Sequence, residues 1–222
     1  MIERVKELQQ EMLRDQNFRQ LCETAGLPWA PEEGYEPRWY TGPASGNVKV
    51  LLVMAEPGAI SDTEAINLLP AVNSSTSVRW YSNHNLKLNE HYWRANLLTL
   101  CESIWPTDTE QCMDEQLGGT CAFWMSLPKG KQTAAVPRRL ETYFSEQYFR
   151  RLLSLSGNPV IIAAGRKASD RLRRYGVAHL HCWALTKPGS YRKAAKSSWI
   201  DTGEKVRRIL LSSEGPTTDA LA

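Results

Sequence analysis

The stretch Val50-Leu51-Leu52-Val53-Met54-Ala55-Glu56-Pro57-Gly58 decides the fold: an apolar run goes straight into a carboxylate and then a Pro-Gly turn. A buried strand of this kind delivers the residue at its carboxyl end into the crevice above an α/β sheet, where such folds place their chemistry. Glu56 is therefore the first catalytic candidate. Two later segments repeat the device. Pro159-Val160-Ile161-Ile162-Ala163-Ala164-Gly165-Arg166-Lys167-Ala168 is an apolar strand whose Gly turn opens a basic helix, and Ala184-Leu185-Thr186-Lys187-Pro188-Gly189-Ser190 is a third strand end with a Pro-Gly-Ser loop.

In that order and at about that separation, the three pieces resemble the motifs of the uracil-DNA glycosylase superfamily, over roughly residues 48–200. Its first motif is a strand followed by Gly-x-(Asp/Asn/Ala)-Pro-(Gly/Tyr), its penultimate strand carries a Gly-x-x-Ala turn, and its last motif is His-Pro-Ser or a relative. Pro57, Gly58, Gly165, Ala168 and Pro188 match directly, whereas Met54 replaces the usual first Gly and Lys187 the usual His. The resemblance implies a three-layer α/β/α sandwich around a mostly parallel four-stranded sheet. It also implies a monofunctional DNA glycosylase that flips a base and leaves an abasic site.

Composition narrows the class. With 222 residues, 42% of them hydrophobic, the chain suits one well-buried α/β domain over 1–222, with an N-terminal helix and loop over 1–46 and a mobile tail over 212–222. No run of eighteen apolar residues occurs and the first residues lack a signal-peptide core, so a soluble, cytoplasmic protein with no membrane partner is expected; a monomer is also expected. The five cysteines are scattered without a Cys-x-x-Cys pair, which argues against a disulfide framework, a zinc site or an iron–sulfur cluster. No metal or cofactor is expected. The net charge of +3 conceals an asymmetry: 9 basic against 17 acidic residues up to 128, then 18 against 7. The basic half, with Arg166, Lys167, Arg171, Arg173, Arg174, Lys187, Arg192, Lys193 and Lys196, is the footprint expected for a phosphate backbone. Arg171, Arg173 and Arg174 also read as the solvated face of a helix.

Periodicity predicts one amphipathic helix over 2–25, a surface loop over 28–46 and a long polar insertion over 59–89. Helices are predicted over 92–104, 137–154, 167–175 and 198–211, and further strands over 121–127 and 180–185. Strands alternating with helices imply a mostly parallel sheet covered on both faces.

Breaking an N-glycosidic bond passes through an oxocarbenium-like state, which a carboxylate near the sugar and a cation near the base would stabilise. By the resemblance, Glu56 positions or activates water and Lys187 stabilises the departing base, with Asp62 the reserve carboxylate. A helix cap or a pairing with Arg is the alternative role for Glu56, and a phosphate contact that for Lys187. Gly165, Arg166, Lys167, Ser190, Tyr191, Arg192 and Lys193 would contact DNA, with Tyr191 as the wedge that fills the gap left by the flipped base. The strict uracil enzymes block substituents on C5 with a Tyr where this chain has Gly58. That opening, with Trp80, Tyr81 and Asn83 in the insertion and Ser126 on the strand over 121–127, where uracil-reading relatives carry an Asn, as base-binding candidates, favours a bulky 5-modified cytosine. Glucosylated hydroxymethylcytosine of phage DNA, removed in antiviral defence, is the example. Uracil or mismatch repair, a catalytically silent DNA-binding module and a nucleoside hydrolase on a similar sheet are the rival readings.

Overall fold

Successive residues of a strand face opposite ways, and the first long strand uses this to bind two helical layers. The computed structural model describes residues 1–27, 40–43, 47–56, 93–125, 136–186 and 189–213. Five strands form one sheet: β1 (Tyr40–Thr41), β2 (Val50–Met54), β3 (Leu117–Cys121), β4 (Val160–Ala164) and β5 (Leu180–Cys182), in the order β1-β3-β2-β4-β5. β2 to β5 are mutually parallel, and the two-residue β1 runs antiparallel on the β3 edge. In register, Leu52 lies between Gly119 of β3 and Ile162 of β4.

The described helices are α1 (Ile2–Arg14), α2 (Gln16–Thr24), α3 (Trp93–Ile104), α4 (Thr109–Gln116), α5 (Arg138–Phe144), α6 (Arg150–Leu155), α7 (Arg166–Arg174) and α8 (Ala195–Ser213), with a π-helical segment, Ser145–Phe149, joining α5 to α6. Leu51, Val53 and Ala163 pack with α1, α2, α5, α6 and α7 around an aromatic cluster that includes Phe18, Phe123, Trp124, Phe144 and Phe149. Val50, Leu52 and Ile162 pack on the other face against Leu97, Leu100 and Ile104 of α3 and Trp199 and Val206 of α8. This is the α/β/α sandwich expected. α8 comes close to α3 at Gly203, where a Cβ would lie 2.5 Å from that of Ser103. α8 also closes the free edge of β5: Thr202 Oγ1 donates to the His181 carbonyl and the Trp183 amide donates to Ser198 Oγ. Hydroxyl groups thus satisfy ladder groups that an exposed edge leaves open.

Several boundaries differ from expectation. The first helix is two, because Asp15 takes an extended conformation and its side chain accepts from the Asn17 and Phe18 amides as the cap of α2. The strand expected over 121–127 lies instead at 117–121, where Gly118 fits close against Val48, Leu51 and Tyr40. The apolar run Ala122–Met125 follows it as buried irregular chain. β5 stops at Cys182, since the chain then turns to bond with α8, and α8 itself starts earlier than predicted. α4 and β1 were not anticipated, the latter inside the expected 28–46 loop.

Candidate functional site at the carboxyl edge of the sheet

Chain direction places the site. From β2 the chain passes over the α3 face to reach β3, whereas from β4 it passes over the α7 face to reach β5. Neighbouring strands whose connections leave in opposite directions open a crevice at their carboxyl ends. Glu56 stands two residues beyond the end of β2, and α7 begins two residues beyond the end of β4. The backbone at Met54 and Ala55 is still tied to the neighbouring segment, through bonds from the Ala122 and Phe123 amides at 2.7 and 3.1 Å.

Gly165 makes the turn into α7. Its φ of +95° is the conformation that glycine tolerates, and a Cβ would sit 3.0 Å from that of Ala184. The turn aims one face of α7 at Glu56. Lys167 and Arg171, four residues apart and so stacked on one helical face, each take one oxygen of that carboxylate: Lys167 Nζ bonds Oε1, and Arg171 bonds Oε2 at 2.6 Å. Arg171 also donates to the Ala55 carbonyl at 2.6 Å and to Glu141 at 2.5 Å, while Arg174 forks onto Glu141 at 2.7–3.0 Å. The result is a chain of alternating charges, Lys167–Glu56–Arg171–Glu141–Arg174. Its centre is buried, with side chains of Arg171, Glu141 and Glu56 only 1%, 5% and 11% exposed, and its ends reach solvent. Burial works to lower the Arg171 pKa, but the charges of Glu56 and Glu141 and the Glu141 hydrogen bond outweigh it and hold the guanidinium above its usual value.

Arg171 is thus neither a phosphate contact nor part of a solvated helix face, both of which the sequence suggested; it is among the most buried side chains of the protein. Arg173, Arg166 and Asp170 form the exposed side of the same helix. Arg171, Glu141 and Arg174 are the members of the site that sequence reasoning missed as a unit. The usable signal was their spacing: 167, 171 and 174 share a stripe beside the apolar positions Ala168 and Leu172.

The other predicted residues divide in two. Arg166 opens α7 with a side chain 91% exposed. Ser190, Tyr191, Arg192 and Lys193 follow β5 at the same edge of the sheet, Ser190 and Tyr191 in the 3-10 turn Gly189–Tyr191. Tyr191 is 58% exposed, Arg192 lies over the Trp183 ring with its guanidinium carbon 6.0 Å from the centroid, and Ser190 Oγ is buried with no hydrogen-bond partner among the described residues. Gly58, Asp62, Trp80, Tyr81, Asn83, Ser126 and Lys187 lie outside the described residues.

The remaining chemistry-bearing groups are elsewhere. Burial pushes the Cys22, Cys101 and Cys182 thiols up to about 12, which keeps them protonated near neutral pH. Among the described residues no cluster of three or more His, Cys, Asp and Glu is placed to hold a metal, and no helix is long and apolar enough to cross a membrane. Ser169 Oγ and His179 Nε2 are 2.8 Å apart, with the His179 Nδ1 side on the Val177 carbonyl, but Ser169 is only 4% exposed and tethers the turn after α7. A cavity of about 90 Å³ lined by Arg138, Glu141, Ser145, Arg150, Arg174 and Tyr175 lies at the far end of the charge chain. It is well below the roughly 300 Å³ at which ordinary ligand pockets begin. No protein-family model matches the chain, and no curated protein matches it.

Proposed function

We propose that the protein is a DNA glycosylase that hydrolyses the N-glycosidic bond of a flipped pyrimidine, with Glu56 as the group that orients and deprotonates water. One observation carries this reading. A fixed carboxylate stands at the strand-switch crevice, and the edge it stands on is rimmed by Arg166, Lys167, Arg192 and Lys193 with Tyr191 exposed. A cationic rim attracts a phosphate backbone, a protruding aromatic ring can enter a base stack, and a carboxylate supplies the negative charge that an oxocarbenium-like sugar calls for.

In the proposed step a water oxygen bonds to the anomeric carbon as the carbon–nitrogen bond breaks. The bonding pair leaves with the base nitrogen, and the water proton passes to Glu56 and onward to the departing base. Arg171, itself buried, holds one oxygen of Glu56 and so orients the carboxylate. Lys187, by the resemblance to the uracil-DNA glycosylases, would stabilise the base anion, and Gly58 would leave room for a C5 substituent. That favours modified cytosine over uracil, and a role in defence over repair.

A second reading is a DNA-binding module without activity. It is favoured by the engagement of both Glu56 oxygens by cations, an arrangement that also serves purely to hold α7 against β2. Duplexes carrying uracil, a thymine mismatch, hydroxymethylcytosine or its glucosylated form, treated with alkali after incubation, separate the two. Strand cleavage at the marked base supports the glycosylase, greatest for the glucosylated form; tight binding with every duplex intact supports the silent module.

A further inference from the structure

We infer that Glu141 is a positioning residue for Glu56: acting through Arg171, it confines the guanidinium's grip to one oxygen of the carboxylate and leaves the other outside that grip. This rests on the glycosylase reading of the site and adds to it a residue, on a helix that carries no strand-end group, that sets the geometry of the water-activating carboxylate.

A guanidinium beside a carboxylate commonly pairs with it as a fork, two N–H groups on two oxygens. Arg174 grips Glu141 in this two-oxygen way, its Nη2 reaching Oε1 at 3.0 Å and Oε2 at 2.7 Å with Nε on Oε2 at 2.9 Å. Arg171 does not grip Glu56 so. Its Nε edge is given to Glu141 Oε1 at 2.5 Å, and its Nη1 divides between Glu56 Oε2 and the Ala55 carbonyl, each at 2.6 Å. The guanidinium carbon lies 5.6 Å from the centroid of the Phe123 ring, so the ring covers one side of the group while Glu141 and the Ala55 carbonyl set its rotation. With the Arg171 side chain only 1% exposed, bulk water is no substitute for a lost partner.

The commitment of Nε decides what Glu56 has left. Oε2 is held, while Oε1 meets the half-exposed Lys167. A carboxylate oxygen accepts along two lone pairs, so Oε1 can take a water beside the ammonium. Without Glu141 the Nε group of Arg171 becomes a buried donor lacking its acceptor. The carboxylate already in contact is Glu56, and turning the guanidinium onto both of its oxygens satisfies that donor at the expense of the water. Glu141 thus acts on the reaction without touching the substrate.

Two variants separate reach from charge. Glu141→Gln keeps the length and an oxygen that accepts from Arg171 Nε but removes the charge, whereas Glu141→Asp keeps the charge and shortens the reach by one methylene. Base release is measured on the duplex that the wild type turns over best, with kcat and KM taken separately, at a temperature where both variants retain the wild-type near-UV circular dichroism. Glu141→Asp should lose about tenfold or more in kcat with KM within about twofold, as a small misplacement of a reacting group does, while Glu141→Gln stays within about threefold of wild type. In a Glu56→Gln background the Asp change should lower the residual kcat no further, because the two residues act as one unit. A Gln variant that loses more kcat than the Asp variant would assign Glu141 to charge balance in the fold and overturn the inference. So would a loss of the same size in the Glu56→Gln background, or one carried by KM alone. A wild type that releases no base from any duplex removes the glycosylase reading itself, and the role of Glu141 with it.

Discussion

Two acidic side chains pin helices on the same face of the sheet, and they are held by opposite means. Asp15 is surrounded by neutral donors: the Tyr143 hydroxyl at 2.7 Å, the Tyr148 hydroxyl, and the Asn17 and Phe18 amides at 2.9 and 3.1 Å. Glu56 is surrounded by cations from a single helix. Asp15 caps α2 and docks the N-terminal helices on the segment around the π turn, and every donor it uses is local or aromatic. Glu56 has its cations at the one edge where a parallel sheet opens to ligands. A carboxylate that only has to hold a fold is satisfied by hydroxyls and amides. One given a guanidinium and an ammonium partner at a strand end is held aimed at that edge.

Breaking the Glu56 side should cost most. Arg171→Met leaves Glu56 and Glu141 with one partner each in buried surroundings, and removing one member of a buried ion network costs about 3–5 kcal/mol. Urea denaturation measures it; a loss below about 1 kcal/mol would mean that the network contributes little to the fold. Asp15→Ala removes a cap and two phenol bonds, for about 2–3 kcal/mol.

The same variant has a pH signature. Burial raises the Asp15 pKa, but the Tyr148 and Tyr143 bonds and the two amides outweigh it and hold it below the usual carboxylate value. A lowered folded value gives stability that is present above the unfolded pKa of about 3.9 and is lost as pH falls through the folded value. Wild type should therefore lose stability below about pH 4 more steeply than Asp15→Ala. Glu11, lowered by its bond to Arg151, titrates in both proteins and leaves the difference intact. Parallel acid profiles would contradict the role of Asp15.

Smaller effects sharpen the contrast at the edge. Gly165→Ala forces a side chain into φ +95° and toward Ala184, for about 1–3 kcal/mol, and should displace Lys167 from Glu56. Arg166→Ala, at a side chain 91% exposed, should leave stability within about 0.5 kcal/mol. It should nevertheless reduce the salt slope of duplex binding by about one. An unchanged slope would take Arg166 out of the interface.

The sheet was legible because β2 and β4 are apolar runs ended by Glu56-Pro57-Gly58 and Gly165, signals that depend on neighbouring residues alone. β3 was misplaced because its sequence, Leu-Gly-Gly-Thr-Cys, has weak strand propensity and is a strand only through pairing with β2 on one side and β1 on the other. The place of Glu56 at a strand end was legible, and so was its possible pairing with Arg. Its actual partners were not, since Lys167 and Arg171 lie 111 and 115 residues away and meet it only through the β4 turn. Arg171 misled for a related reason: a charged residue reads as solvated until its burial partner, Glu141, is placed by packing.

We propose Glu56 as the water-activating carboxylate of a base-releasing site, and Glu56→Gln probes that role. The change keeps shape and removes charge. On the duplex that the wild type turns over best, base release should fall on the order of a hundredfold or more while duplex affinity stays within about threefold. Wild-type turnover in the Gln protein would contradict the account.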